Sequence, residues 1–559
     1  MTQICDQIHK GIYSLRNKSG SRQAVSDSSK IKRTTNGFNF PKLTIGINSQ
    51  STIKRCYPDY KFIYKVRFIA TFAFLFILSS CAQSFGQQSG AVRFVSSDTA
   101  LTNSFAWAKH MALHYQGKPG DPVGPWYESA LPPRNAFCMR DVSHQSIGGA
   151  ILGMDLENKN MMTLFVSNIS EGKDWCSFWE MNKEGKPAPE DYRNDSAFWY
   201  NLPANFDVMS ACWRLYKWTG DRSYITDHRF THFFDKSVTD YIAKWVLQPD
   251  SLLTRPTHPD NLDSYDENDA FKRCRGLPSY SEGVRNIKMG ADLVAAIYRG
   301  LMTYGELQAH NDKAALARRY YEKAKKYQQE LENKWWDNSA DLYNTYYSDQ
   351  LEFGKTEGET FLLWFDALSP GTKKTKTISH LLSRRWNVEN MSYQPLILYR
   401  NGYHKEAYEQ ILYLTSPNTK RREYPEVSFG VVEAIVQGLM GIEPDATTGV
   451  IATCYNDPNI KTSRIEHLPI LRTSIDLSHF GADRSEMTNN GHRSIMWRAE
   501  FKGTLKYAEM LDSKSKEKST KKAKKVALKQ ARLPDGRVVS YVDVRLEPGS
   551  KIMIKANIN

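Results

Sequence analysis

Three short stretches hold side chains whose types suit acid–base chemistry. The first is Phe137-Cys138-Met139-Arg140-Asp141-Val142-Ser143-His144-Gln145, the second Leu277-Pro278-Ser279-Tyr280-Ser281-Glu282-Gly283, and the third Arg422-Glu423-Tyr424-Pro425-Glu426-Val427-Ser428-Phe429-Gly430. A reaction that needs one proton given and another taken can be run by two carboxyls in unlike surroundings. Each stretch also has a purely structural reading. Asp141 can cap a helix with Arg140 paired to a nearby acid, Glu282 can be a surface residue, and Glu423 and Glu426 can cap the helix that follows Pro425. The motifs that would point to other enzyme classes are missing: there is no phosphate loop, no strained nucleophilic serine and no HExxH metal site. The acids between Asp263 and Asp269 lack calcium-loop spacing, so neither a metal nor a cofactor is expected. Asp266 and Glu267 are held as reserve proton donors.

Helical periodicity must position these stretches. It dominates from about residue 103 to 441 and predicts helices near 103–116, 141–155, 156–169, 203–219, 232–247, 288–309, 311–336, 358–369, 373–387, 392–401, 403–416 and 427–441. Short connections alternate with long ones over 117–140, 170–202, 248–287 and 337–357, which predicts helical hairpins set in a ring. Long loops of this kind usually carry function. All three stretches stand in such loops or at helix starts. Beyond Thr448 the pattern alternates with period two, as in Ser494–Phe501, Val538–Leu546 and Lys551–Ile554, and predicts strands. The lysine-rich stretch Lys514–Lys529 reads as a solvated surface segment.

In that order the three stretches resemble the glucoamylase-like and α-L-rhamnosidase-like clan of six-hairpin glycoside hydrolases. The clan has an aromatic-x-x-Arg-Asp motif before its second helix, a general acid between the fifth and sixth helices and a general base before the twelfth. The exit Gly441-Ile442-Glu443-Pro444-Asp445 is similar to the one that leads into a β-domain in α-L-rhamnosidase-like members. The resemblance implies a mainly α chain: an (α/α)6 toroid over 103–448 with a small β-rich, sandwich-like domain over 449–559. It implies an exo-acting, inverting hydrolase of O-glycosyl bonds with Glu282 as acid and Glu426, ahead of Glu423, as base. Arg140 and Asp141 would bind the terminal sugar, joined by His144 and Gln145. The chain departs from the α-L-rhamnosidase pattern: Val142 stands where that pattern has Glu, and the Gly-Trp that follows is missing. Substrate therefore stays open between α-L-rhamnosidase-type and β-glucuronidase-type specificity.

The aromatic residues Trp126, Trp175, Trp179, Trp199, Tyr200 and Tyr280 are candidate sugar platforms. Arg193, Arg273, Arg275 and Arg285 would suit a uronate carboxylate, which guanidinium grips with two hydrogen bonds. Two rival readings use the same residues. A polysaccharide lyase would recruit Tyr280 or His144 as base, and a non-catalytic glycan-binding lipoprotein would use the pocket for binding alone.

The formal charge of +14 suggests a polyanion partner, but residues 1–80 hold 10 of the surplus and the remainder only 4. No nucleic-acid partner is expected. Phe68–Leu78 is apolar, follows Lys61, Lys65 and Arg67, and ends in Leu78-Ser79-Ser80-Cys81. This is the layout of a lipoprotein signal over 66–81, with Cys81 the acylated residue and a linker over 82–102. The expectation is an exported lipoprotein, periplasmic or at the cell surface, held to the outer membrane or another membrane surface by a lipid anchor. Residues 1–65 precede that signal, and no Met lies between Met1 and Met111, which argues that translation begins near Val66. The five cysteines beyond Cys81 show no metal spacing, and their odd number requires a free thiol. Oligomeric state has no signature.

Overall fold

Asp98 accepts hydrogen bonds from the amides of Ala100 and Leu101, at 2.8 and 3.1 Å, and so opens α1, Thr99–His114. The computed structural model describes residues 91–129, 132–256, 275–281, 283–284, 286–457, 459–512, 523–533 and 536–557. The expected signal with Cys81, the acidic run 263–269, Arg273, Glu282 and Arg285 lie outside them. The main helices after α1 are α2 Met139–Ile151, α3 Asp155–Ser167, α4 Ala204–Thr219, α5 His228–Lys236, α6 Ala291–His310 and α7 Ala314–Glu330. Then come α8 Glu359–Trp364, α9 Thr372–Ser383, α10 Gln394–Arg400, α11 His404–Thr415 and α12 Pro425–Glu433. Helices α5, α7 and α12 each run on into a wider π-helical turn, at Ser237–Tyr241, Leu331–Trp335 and Ala434–Leu439.

Burial separates the helices into two kinds. Every residue of α2 except Arg140 is buried, and α12 is buried nearly throughout. By contrast α7 buries only Ala317, Tyr320, Ala324 and Tyr327, the single stripe of an outer helix. The even-numbered helices touch in sequence: α2 meets α4, α4 meets α6, α6 meets α8, α8 meets α10, α10 meets α12, and α12 returns to α2. Small residues allow the last approach. A Cβ on Gly148 would lie 2.5 Å from the carbonyl oxygen of Phe429, so α2 and α12 pack backbone against backbone. Gly148→Ala is therefore expected to lower the unfolding free energy by about 1–3 kcal/mol, read by urea denaturation. A midpoint unchanged from wild type would mean that the two helices tolerate separation.

The strands follow a different rule. β1, Arg93–Ser96, precedes α1 and pairs antiparallel with a strand far down the chain, so the expected linker over 82–102 contains structure. Its partner belongs to a run comprising β2 Ile442–Asp445, β3 Val450–Cys454, β4 Thr462–Ile470, β5 Thr473–Phe480, β6 Arg484–Asn489, β7 Ile495–Lys502, β8 Tyr507–Asp512, β9 Lys524–Ala527, β10 Lys529–Arg532, β11 Val538–Leu546 and β12 Lys551–Ala556. One sheet has the order β1-β4-β5-β6-β12-β8-β9 and the other β2-β3-β7-β11-β10. Their ladders are antiparallel except β3–β7. Ile475, Leu477, Met487, Ile554 and Trp497 are buried, as period-two alternation requires. Part of the lysine-rich stretch, read from sequence as a solvated segment, forms the edge strands β9 and β10. Lysines on an edge keep it soluble and unpaired, which also hides its alternation. The helices and sheets meet through polar contacts. Trp218 donates its indole N–H to the carbonyl of Pro469 at 3.0 Å, and Asn456 donates to that of Gly438 at 2.7 Å.

Candidate active site

Five of the six even-numbered helices begin with a buried acid, and the sixth, α10, follows a half-buried one. Asp141 lies in the first turn of α2, Asp207 in that of α4, Asp292 in that of α6, Glu359 in that of α8 and Glu426 in that of α12. Glu389 lies in the short helix Val388–Met391 just before α10. The unpaired amides at a helix start favour negative charge there. This pattern gathers carboxyls at one end of the buried helices.

Arg140 and Asp141 stand together at the start of α2. The guanidinium Nε donates to Asp141 Oδ1 at 2.9 Å, and the thiol of Cys138 donates to Asp141 Oδ2 at 2.7 Å. Burial pushes the Cys138 thiol well above its ordinary range, so it remains a neutral donor. The face of Tyr280 covers the guanidinium at 4.9 Å and Trp179 lies 5.9 Å away. Tyr280 is held by Asp292, whose carboxylate accepts the Tyr280 amide at 2.6 Å and the Ser279 hydroxyl at 3.0 Å.

One turn further on, His144 Nε2 and Asp207 Oδ1 are 2.8 Å apart. Burial, then the charge of Arg140, lowers His144 to about 3. Burial likewise raises Asp207 well above the usual carboxylate range. The pair is thus neutral overall, and His144 carries no positive charge at ordinary pH. Aromatic rings enclose it, with Tyr393 at 4.8 Å and Trp364 at 5.3 Å.

Glu426 reaches this box from α12. Its residue is 4% exposed, and burial followed by the charge of Asp141 raises its carboxyl well above the usual range. The smaller pulls of its own backbone amide and of Arg140 act the other way. A cavity of about 10 Å³, lined by His144, Gln145, Tyr393, Glu426 and Glu433 among others, sits beside it. That is room for about one water molecule. Among the described residues, Glu426 Oε2, both polar atoms of Gln145, His144 Nδ1 and the Tyr280 hydroxyl form no hydrogen bond. Buried polar atoms are nearly always satisfied, so such a cluster marks a place prepared for something polar.

The structure separates the two expected base candidates. Glu426 is buried at the cavity, whereas Glu423 is exposed, with its carbonyl accepting from the hydroxyl of Tyr115. The expected sugar platforms also divide. Tyr280 lies at the site. Trp126 is a core side chain whose indole donates to Asp121 at 2.7 Å, and Tyr200 is fully buried with its hydroxyl on Asn205 at 2.5 Å. Trp199 is buried against Trp179 at 4.7 Å. Five groups at the site lie outside the three sequence motifs: Asp207, Trp364, Glu389, Tyr393 and Glu433. Their shared signal is position, at or near the start of an even-numbered helix or one to three turns inside it.

No protein-family model matches the chain, and no curated protein matches it. Among solved structures, an α-L-rhamnosidase from Dictyoglumus thermophilum superposes with a TM-score of 0.51 at 14% identity, over 84% of this chain and 50% of that one. A GH78 family rhamnosidase of Bacillus sp. GL1 superposes with a TM-score of 0.49 at 8% identity, over 71% of this chain and 40% of that one. The chain thus spans half or less of these two proteins. At such identities the likeness is one of fold.

Proposed function

We propose that the chain is an exo-acting, inverting glycoside hydrolase built on an (α/α)6 toroid with a small C-terminal β-rich domain. The cycle of contacts among α2, α4, α6, α8, α10 and α12, each with an outer neighbour, supports the toroid. One observation carries the chemistry: a buried carboxylate oxygen, Glu426 Oε2, without a hydrogen bond among the described residues, beside a cavity of one-water size. An inverting enzyme needs this arrangement, since its base must activate a water on the far side of the sugar from the acid. Arg140 and Asp141 present charged hydrogen-bonding groups beside it, suited to sugar hydroxyls, and the ring of Tyr280 supplies an apolar wall. Buried Glu433, paired with Arg214, lines the same cavity.

Neutral His144, fixed to Asp207, orients this wall without adding charge. The hydrolase also needs a second carboxyl as proton donor, and Glu282 is the candidate that the sequence offers for it. The substrate is an oligo- or polysaccharide of plant or host origin, of the α-L-rhamnoside or β-glucuronide kind. The protein is exported and lipidated at Cys81, on the strength of the apolar run Phe68–Leu78 before it.

The test is a screen of aryl glycosides and polysaccharides with reducing-end detection, followed by proton NMR of the first-formed anomer. Release of terminal sugars with inverted configuration is expected. Retained configuration would sink the inverting mechanism, and ultraviolet absorbance from an unsaturated uronate would establish a lyase instead. Binding without any product would leave a glycan-binding protein.

The linkage between Asp141 and Glu426 gives a further expectation. Glu426 must be ionised to act, so activity falls as pH drops through its raised pKa. Asp141→Asn removes a charge that raises it, and the acidic limb of kcat/KM should move to lower pH. The same change removes a charged sugar contact and should raise KM by about 10–100-fold. An acidic limb that stays in place would show that Asp141 and Glu426 do not interact.

A further inference from the structure

We propose that Glu357 is the proton donor of this site, delivering its proton to the glycosidic oxygen from Oε1. The proposal rests on the hydrolase reading above and names a residue outside the motifs that suggested it. Glu357 directly precedes Gly358 and α8. Gly358 has φ 135°, a conformation that side-chain-bearing residues rarely adopt, and it turns the chain sharply just after Glu357.

Among the described residues, the side-chain hydrogen bonds to the carboxyl all fall on one oxygen. Oε2 accepts from Nδ2 of Asn387 at 3.0 Å and from Nδ2 of Asn390 at 2.8 Å. The carbonyl of the same residue accepts from the hydroxyl of Ser281 at 3.1 Å, which ties it to the segment bearing Tyr280. With Oε2 occupied by two neutral donors, it takes the carbonyl role and leaves the proton on Oε1. Among the described residues, the ionisable groups that act on Glu357 are Arg140 of α2, Asp292 of α6 and Glu389, which is itself paired with Arg421 at 2.7 Å. Burial raises the Glu357 carboxyl above its ordinary value in spite of Arg140 and the two amides. Arg140 and Glu389 act on Glu426 as well, so both carboxyls stand around one charged centre.

The step balances. The proton on Glu357 Oε1 passes to the glycosidic oxygen as the C1–O bond breaks, and the bonding pair stays on that oxygen. Water attacks C1 and gives its proton to Glu426. Exchange with solvent then returns a proton to Glu357 and removes one from Glu426, leaving sugar and alcohol as products.

The test compares substrates whose leaving groups differ in their need for a proton, once a cleaved glycoside is in hand. Glu357→Gln should lose about 10²–10⁴-fold in kcat/KM on an alkyl glycoside. The loss should be less than tenfold on the 2,4-dinitrophenyl glycoside, and the basic limb of the pH profile should disappear. Asn390→Ala keeps the carboxyl and removes one donor to it. That variant should move the basic limb to higher pH, and it serves if Glu357→Gln fails to fold. Equal losses on both substrates, or a basic limb untouched in both variants, would overturn the proposal. The same selective loss in Glu282→Gln, with Glu357→Gln behaving as wild type, would overturn it while leaving the hydrolase reading intact. A wild-type protein that cleaves no glycoside would remove both.

Discussion

Glu426→Gln is expected to lower kcat by about 10²–10⁴-fold, the contribution of a positioned general base, while raising thermal stability at neutral pH. The two effects have one cause. Burial and Asp141 hold the Glu426 carboxyl well above the usual range in the folded chain. In the unfolded chain it titrates near an ordinary pKa of about 4.3. Above that pH the unfolded state has lost a proton that the folded state retains, so stability falls as pH rises until the folded pKa is passed. Glutamine carries no such proton. The variant should therefore melt higher than wild type at pH 7, with the difference vanishing near pH 4. Melting curves at the two pH values, alongside initial rates, decide the matter. Intact turnover would remove Glu426 from the mechanism. A variant less stable than wild type at pH 7 would show that its carboxylate stabilises the fold.

The second large effect concerns the floor of the cavity. Arg214 Nη2 donates to Glu433 Oε1, and the guanidinium lies 5.1 Å from the centroid of the Trp364 ring. The Glu433 side chain is 2% exposed and that of Arg214 is 21% exposed. Glu433→Ala strands a cation that its surroundings solvate poorly. A loss of about 3 kcal/mol in unfolding free energy is expected, at the lower end of what breaking a buried pair costs because Arg214 keeps some contact with water. Replacing both partners with methionine should recover most of that loss, since neither charge is then stranded. Urea unfolding of the single and double variants provides the comparison. A single variant within about 1 kcal/mol of wild type would show that water already satisfies Arg214.

Much of the helical part was legible in the sequence because an amphipathic stripe repeats at helical spacing whether or not its partner is known. Thr99–His114 and Ala291–His310 fall within a few residues of their expected bounds. The place of Glu426 at a helix start was legible because Pro425 marks the first turn, whereas its role as base was an expectation drawn from the resemblance. Its preference over Glu423 rests on burial, which no local pattern encodes. Glu357 was not legible. It sits in Lys355-Thr356-Glu357-Gly358, before a helix of only six residues, and that segment has the composition of any exposed turn. Trp126 and Tyr200 were misjudged for the converse reason. A tryptophan that packs a core and one that faces a sugar have the same sequence signature. Strand β1 is four residues long, too short for alternation to stand out, and its partner is remote.

That remoteness bears on how the protein is made. The hydroxyl of Ser96 in β1 bonds to the carbonyl of Thr462, 366 residues later in the chain. A nascent chain leaving the ribosome at 5–20 residues per second exposes β1 for roughly 20–70 s before its mate emerges. Every helix among the described residues is synthesised within that interval. The sheet therefore closes after the helices between its two strands have been made, and it fastens a strand that precedes them to one that follows them. Truncation ahead of Thr462, which removes β4, should then yield a product in which β1 has a bare edge, prone to pairing with its own copies.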